Sequence, residues 1–196
     1  MMLRTLFQRA RRLGASFLGD RSGVAAVEFA LISPTVILIL VGLIDLGGLL
    51  YTRFQLNASL SAAANYAMVN GSNVSSTNGP SLASTLAGLI SSGQSSNWAD
   101  SSVTVNNGPT ASSSGGTVGS GGTGSNADSC YCPTGAASSS VTWGSSQTCG
   151  TTCGGGGYAG KFVLLSASRA YSPIFTGYGM LSQSGTMTVS SLVQVQ

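Results

Sequence analysis

The chain has 196 residues, enough for one modest domain with an accessory segment, and only 7% of them are charged, against about 25% in an ordinary soluble domain. Glycine supplies 28 residues, histidine is absent, and the five acids (Asp20, Glu28, Asp45, Asp100 and Asp128) are scattered. Histidine acid–base chemistry and histidine-ligated metals are thereby excluded, and the composition points to a structural or assembly role, not an enzyme, with no cofactor or metal implied.

The net charge of +3 is concentrated at one end: five of the seven arginines, Arg4, Arg9, Arg11, Arg12 and Arg21, precede residue 24. Beyond Arg53 only Lys161 and Arg169 remain, balanced by Asp100 and Asp128. Residues 1–23 read as a basic leader. With no folded DNA-binding module beside it and an apolar stretch directly after it, this leader points to a membrane and not to nucleic acid.

Residues 24–50, from Val24 to Leu50, form an apolar run with its densest part between Phe29 and Ile44. It is long enough for the ~20 helical residues that cross a bilayer and longer than the about 7 to 15 apolar residues of a signal peptide. The arginine-rich N-terminal flank orients this span with residues 1–23 in the cytoplasm and everything after about residue 51 outside. Glu28 lies at the mouth of the run, where a carboxylate costs on the order of 2 to 3 kcal/mol and so requires a reason. Pro34 removes one backbone donor inside the run. Asp45 is expected near the outer interface.

The segment Arg21-Ser22-Gly23-Val24-Ala25-Ala26-Val27-Glu28-Phe29-Ala30-Leu31, followed by Ser33-Pro34 and an aliphatic run, resembles the N-terminus of TadE-like proteins. These are pseudopilins, or minor pilins, of the tight adherence (Tad/Flp) pilus, a branch of the type IV pilus superfamily. The resemblance continues less strictly through Gly42-Leu43-Ile44-Asp45-Leu46-Gly47 and Tyr51, covering about residues 19–70. It implies cleavage between Gly23 and Val24 by a prepilin peptidase. It also implies an assembly motif of Glu28 in the fifth mature position, Phe29 in the sixth, and Pro34. The implied setting is a bacterial inner membrane, single-pass, with a periplasmic C-terminus and incorporation into an extracellular pilus. The implied partners are the peptidase, other pilins and pseudopilins, the inner-membrane Tad assembly platform and membrane lipid. The family commonly carries an arginine where this chain has Ala63-Ala64-Asn65, so no salt bridge is inferred there.

Elementary chemistry agrees with that motif. Cleavage creates an ammonium at Val24, and Glu28 lies one helical turn along on the same face, placed to pair with the amino terminus of a neighbouring subunit and set its register.

Beyond Leu50 the pattern becomes amphipathic. Tyr51, Phe54, Ala58, Ala62, Tyr66 and Val69 recur every three or four residues, with Arg53, Asn57, Ser61 and Asn65 on a polar stripe. Residues 51–70 therefore extend the helix to about Val69, roughly 70 Å in all, with Gly71 at its end; a separate surface helix is the alternative. The apolar stripe needs a partner in either case.

Residues 71–196 are expected to form an outer α+β region. Asn70 to Pro80 is loop-like, Ser81 to Ile90 is spaced for a short helix, and a strand is expected around Val103 and Val105. Between Gly108 and Asp128, 15 of 21 residues are Gly, Ser or Thr, which predicts a flexible loop with too little apolar surface to fold. A strand is expected from Tyr158 to Tyr171, stopped by Ser172-Pro173. Another runs through Met187, Val189, Val193 and Val195, and the two make a small antiparallel sheet.

The four cysteines, Cys130, Cys132, Cys149 and Cys153, fall ahead of these strands. On the outer side of a membrane an even count in a glycine-rich segment reads as two disulfides, with three pairings open; a four-thiolate zinc site is the rival, disfavoured by the C-x-C and C-x3-C spacings. Gly155 to Lys161 imitates a phosphate-binding loop, but Phe162 stands where its hydroxyl residue belongs and no helix follows.

Together these features predict an α+β protein: a long transmembrane and amphipathic helix followed by a small disulfide-stabilised antiparallel domain. The expected function is that of a minor pilin in Tad pilus assembly and surface adherence. An unprocessed, membrane-anchored periplasmic or surface adhesin-like protein is the alternative.

Overall fold

The computed structural model of the chain describes residues 23–137, 140–174 and 185–196. The basic leader, apart from Gly23, lies outside the described residues. A single helix, α1 (Val24–Val69), runs for 46 residues straight through Pro34. Pro34 is tolerated because helix formation over so long a segment loses only one backbone bond there. The alternative of a separate surface helix is thus replaced by one continuous stem. The stem stops at Asn70, whose backbone N–H and side-chain Nδ2 both donate to Tyr66 O. Gly71 follows because the C-terminal strand passes so close that a Cβ there would lie 2.5 Å from Val195 O.

A second helix, α2 (Gly79–Ser91), begins with Pro80 in its first turn, where a missing N–H costs nothing. The remaining chain builds a five-stranded antiparallel sheet in the order β3-β2-β1-β6-β7. Its strands are β1 (Asp100–Val105), β2 (Pro109–Ser114), β3 (Thr117–Gly122), β6 (Phe162–Tyr171) and β7 (Gly185–Gln194). Between β3 and β6 lie a 3-10 turn (Gly124–Asp128) and a two-stranded ribbon of β4 (Thr134–Ala136) and β5 (Ser140–Thr142). Both helices cover one face of the sheet, α1 over β6 and β7 and α2 over β1, β2 and β3. The core between the layers holds Leu56, Leu60 and Ala63 of α1, Leu86 and Ile90 of α2, and Val103, Val105, Val163 and Leu165 of the sheet. This is the α+β architecture expected.

The Gly/Ser-rich segment 108–128 corrects its expected flexible loop: it folds into β2, β3 and the 3-10 turn. Two turns make this possible. Gly115 and Gly116 take positive φ and close a two-residue hairpin between β2 and β3, and Asn106 and Asn107 take positive φ (49° and 56°) in the three-residue turn 106–108 between β1 and β2. Apolar burial is needed at few positions because the backbone ladder supplies most of the contacts. Pro109, Ala111 and Ser113 point under α2, and β3 is exposed along its whole length.

Strand β6 starts at Phe162, later than the expected Tyr158, because Tyr158 and Gly160 are engaged in bridges to Thr152 and Tyr131 of the cysteine-bearing segment. In that segment Cys130 is bonded to Cys149 and Cys132 to Cys153, which resolves the three open pairings and leaves no thiol for zinc. The ring of Tyr131 meets Trp143 edge-on at 6.1 Å beside them. Lys161, the lysine of the phosphate-loop imitation, donates to Val74 O at 2.7 Å and so ties β6 to the loop after α1.

Candidate assembly interface

The surface that sets this molecule apart is the stem. Gly23 precedes the first turn of α1, Val24 is its first residue, and Glu28 lies one turn on. Glu28 and Phe29 are both exposed, as are most aliphatic side chains as far as Ile44; Leu31 is 74% exposed and Ile37 56%. Apolar side chains in that density remain bare only in a non-aqueous medium or against other protein. By length and composition this helix is able to cross a membrane once, near the N-terminus of the chain. The structure brings Gly23, Val24, Glu28, Phe29 and Pro34 onto the exposed end of one helix, far along the chain from the four cysteines.

Beyond the span the stem presents three faces. At 3.6 residues per turn, Leu56, Ser59, Leu60, Ala63 and Ala67 share one face, and this is the face buried against the head. The stripe of Tyr51, Phe54, Ala58, Ala62, Tyr66 and Val69 lies about 140° around the helix and faces outward. Phe54 is 68% exposed and Val69 84%. The polar stripe through Arg53, Asn57, Ser61 and Asn65 runs between them. Among the described residues the apolar stripe read from the sequence is therefore unpartnered, and the head sits on a second, smaller-residue face that the periodicity did not single out.

Asp45 is the residue whose role the sequence concealed. It is 4% exposed although it sits among exposed apolar side chains. The extension of β6 reaches back along the stem to it: Ile174 N–H donates to Asp45 Oδ1 at 2.9 Å, and the Tyr171 hydroxyl donates to Asp45 O at 2.6 Å. Gly48 faces the same tyrosine ring. An acid inside an apolar run followed by glycines was the available signal, yet nothing in its local sequence names a partner 129 residues away.

The family described as TadE-like protein matches residues 23–65, the span and most of its extension. Over this segment the chain is similar to TadE-like proteins. No curated protein and no solved structure matches it. The TadE-like match contains Gly23, Val24, Glu28, Phe29 and Pro34, and it also contains most of the outward apolar stripe. It ends before the sheet and the disulfides begin, so the head carries no family assignment.

Proposed function

We propose that this TadE-like chain is a minor pilin of a Tad (Flp) pilus. A prepilin peptidase cleaves it between Gly23 and Val24, and its stem packs against the stems of other pilins or pseudopilins on the inner-membrane assembly platform. On this reading it is a structural subunit in pilus formation and surface adherence, not an enzyme. The leader is cytoplasmic and the head periplasmic or, after assembly, extracellular.

One observation supports this above the rest. The apolar surface of α1 does not stop where a membrane would stop; it continues as the outward stripe from Tyr51 to Val69. A simple anchor gains nothing from an aromatic stripe in water. A subunit that buries its stem among identical or related stems uses it throughout. Glu28, exposed one turn from Val24, then meets the new ammonium of a neighbouring chain in low dielectric, where the pair fixes register even if its net stabilisation is small.

Glu28→Gln separates assembly from anchoring. Removing the charge makes the helix easier to insert into lipid, while depriving the assembled state of its ion pair. The variant is expected in the membrane fraction at wild-type levels or above, in cells that lack the native copy and make few or no surface pili. Normal piliation with Glu28→Gln would remove the assembly role and favour the unprocessed anchor.

A further inference from the structure

Where the stem ends and α2 begins, an open cavity of about 250 Å³ is lined by Tyr66 of α1, Asn73 and Asn78 of the segment between the helices, and Ser81, Leu82 and Thr85 of α2. It stands roughly 30 Å up the stem from Asp45, counted along α1 to Tyr66 at 1.5 Å per residue. Four of its side chains are left unused by the fold. Asn78 precedes α2, where asparagine ordinarily caps a helix through its side chain, yet that side chain makes no cap, and the Asn78 backbone N–H donates to Ser75 Oγ at 3.1 Å. Among the described residues the side-chain amide of Asn73, the hydroxyl of Ser81 and the phenol of Tyr66 also make no hydrogen bond. Thr85 is engaged, its Oγ1 donating to Ser81 O at 2.9 Å. The apolar part of the lining is Leu82, which is buried, and the ring of Tyr66, which is exposed.

The lining carries no charge. A phosphate or carboxylate entering here would lose water without meeting a cation, and a wholly apolar ligand would strip water from two amides without replacing it; both are costly. What fits is a neutral ligand that carries its own donors and acceptors together with an apolar face. A side-chain amide offers two donors and an acceptor at fixed spacing, which suits adjacent hydroxyls on one ring, while an aromatic ring and a leucine offer apolar surface to C–H groups. A pyranose has both, hydroxyls around its rim and C–H groups on its faces. The volume lies just below the ~300 to 1,000 Å³ of sites for drug-sized ligands, so it takes a single ring of a larger molecule.

We propose that this cavity binds a neutral pyranose, the terminal sugar of a glycan, with the Asn73 and Asn78 amides and the Ser81 hydroxyl on the sugar hydroxyls and Tyr66 and Leu82 against its C–H groups. The site is built from the head and the top of the stem alone and does not depend on whether α1 crosses a membrane or assembles. Tyr66 also belongs to the outward stripe, so a neighbouring stem seated there competes with the sugar, and the site is that of a chain whose stripe is free.

Saturation-transfer NMR on the full chain, in a detergent without a sugar headgroup, tests this with the methyl glycosides of glucose, galactose, mannose, N-acetylglucosamine and N-acetylgalactosamine, and with the methyl glycoside of glucuronic acid as the charged control. At least one neutral glycoside is expected to be saturated, and the glucuronide less than the best of them. Asn73→Ala/Asn78→Ala is expected to weaken that binding at least tenfold, the loss of about two hydrogen bonds. The same variant is expected to melt with the wild type, because neither amide is bonded within the fold. Tyr66→Leu, which keeps the stripe apolar, is expected to weaken binding severalfold. If the double variant does not fold, Thr85→Trp, which fills the cavity from the exposed side of α2, replaces it with the same expected loss. Saturation of no neutral glycoside overturns the proposal, as does binding that survives the double variant or Thr85→Trp. A glucuronide bound more tightly than every neutral glycoside overturns the class of ligand. If no sugar binds and the double variant alters only self-association of the chain, the cavity belongs to a second copy and the proposal falls.

Discussion

The Asn106 side chain ties three segments of the head together. It is fully buried with a φ of +49°, closing the β1–β2 turn. Its Nδ2 donates to Ala127 O at 3.0 Å and also to Ser129 O, and its Oδ1 accepts from Phe162 N–H at 3.2 Å. The residue therefore joins the turn, the segment leading to the first cysteine and the start of β6. Asn106→Ala deletes all three bonds and leaves a buried amide without an acceptor. At about 1 kcal/mol per bond, with about 1 kcal/mol more for the orphaned amide, the loss comes to about 4 kcal/mol. A further ~1 kcal/mol arises because alanine, unlike asparagine, finds no local compensation in the left-handed region.

Asn106→Asp keeps shape and backbone preference but turns the donor into a second acceptor facing two carbonyls, so it is expected to destabilise at neutral pH by at least as much. Burial and those carbonyls raise the aspartate's folded-state pKa above its unfolded value, so lowering the pH through the folded value protonates the acid, restores a donor and recovers part of the loss. Urea unfolding of the full chain in detergent, followed through Trp98 and Trp143, measures both. A loss below about 1 kcal/mol for Asn106→Ala, or an Asn106→Asp variant insensitive to pH, would refute this account of the hub.

On the proposed cleavage between Gly23 and Val24, Gly23→Ala places a methyl beside the bond to be cut, and the unprocessed precursor is expected to accumulate; the intact mass of the membrane-extracted chain checks this, and normal maturation refutes it. The native protein is expected to take up no thiol alkylating agent until reduced. Because Cys130–Cys149 and Cys132–Cys153 close segments of 19 and 21 residues, opening either one is expected to cost about 3 kcal/mol by loop-closure entropy. The sheet itself should survive reduction, since the sulfurs lie outside the core between helices and sheet; loss of β-sheet circular dichroism on reduction would contradict this. The Asp128 carboxyl is held below the usual carboxylate range chiefly by a hydrogen bond from the Ser76 hydroxyl, then by the Ser76 N–H and the charge of Lys161. Its folded pKa is thus below its unfolded one, so its contribution is full above the unfolded value and fades as pH falls through the folded one. Asp128→Asn should flatten the acid limb of the stability profile, as read by thermal melts from neutral to acidic pH.

Much of this molecule was legible because periodicity survives in a low-complexity sequence. Apolar residues with few interruptions, then at helical spacing, marked α1 to its last turn, and the alternation of Met187, Val189, Val193 and Val195 with polar neighbours marked β7. The glycine and serine run resisted because it was weighed by how much apolar surface it can bury, whereas β2 and β3 are held by backbone pairing around Gly115-Gly116 and by three small residues under α2. That glycine pair, between Ser112-Ser113-Ser114 and Thr117-Val118, was the missed hairpin signal. On the stem, periodicity identified an apolar stripe but not its destination. Leu56, Leu60, Ala63 and Ala67 fit against the sheet because they are compact and well shaped for it, and the bulkier Tyr51, Phe54 and Tyr66 were left facing out. Asp45 was legible as an acid within the helix, but its partners come from the far end of the chain, and no local pattern encodes a contact of that range.

The hairpin of β6 and β7 lies lengthwise against α1, with Tyr171 at Asp45 and Val195 at Gly71 marking its two ends. A pull along the stem, such as a filament under tension exerts on its subunits, would therefore slide the hairpin past the helix and not peel it away. Sliding loads the core contacts from Leu56 to Ala67 and the Asp45 bonds simultaneously, whereas peeling would break them one after another. The head is thus attached in the orientation that resists axial force best, with its weak direction pointing sideways, across the stem.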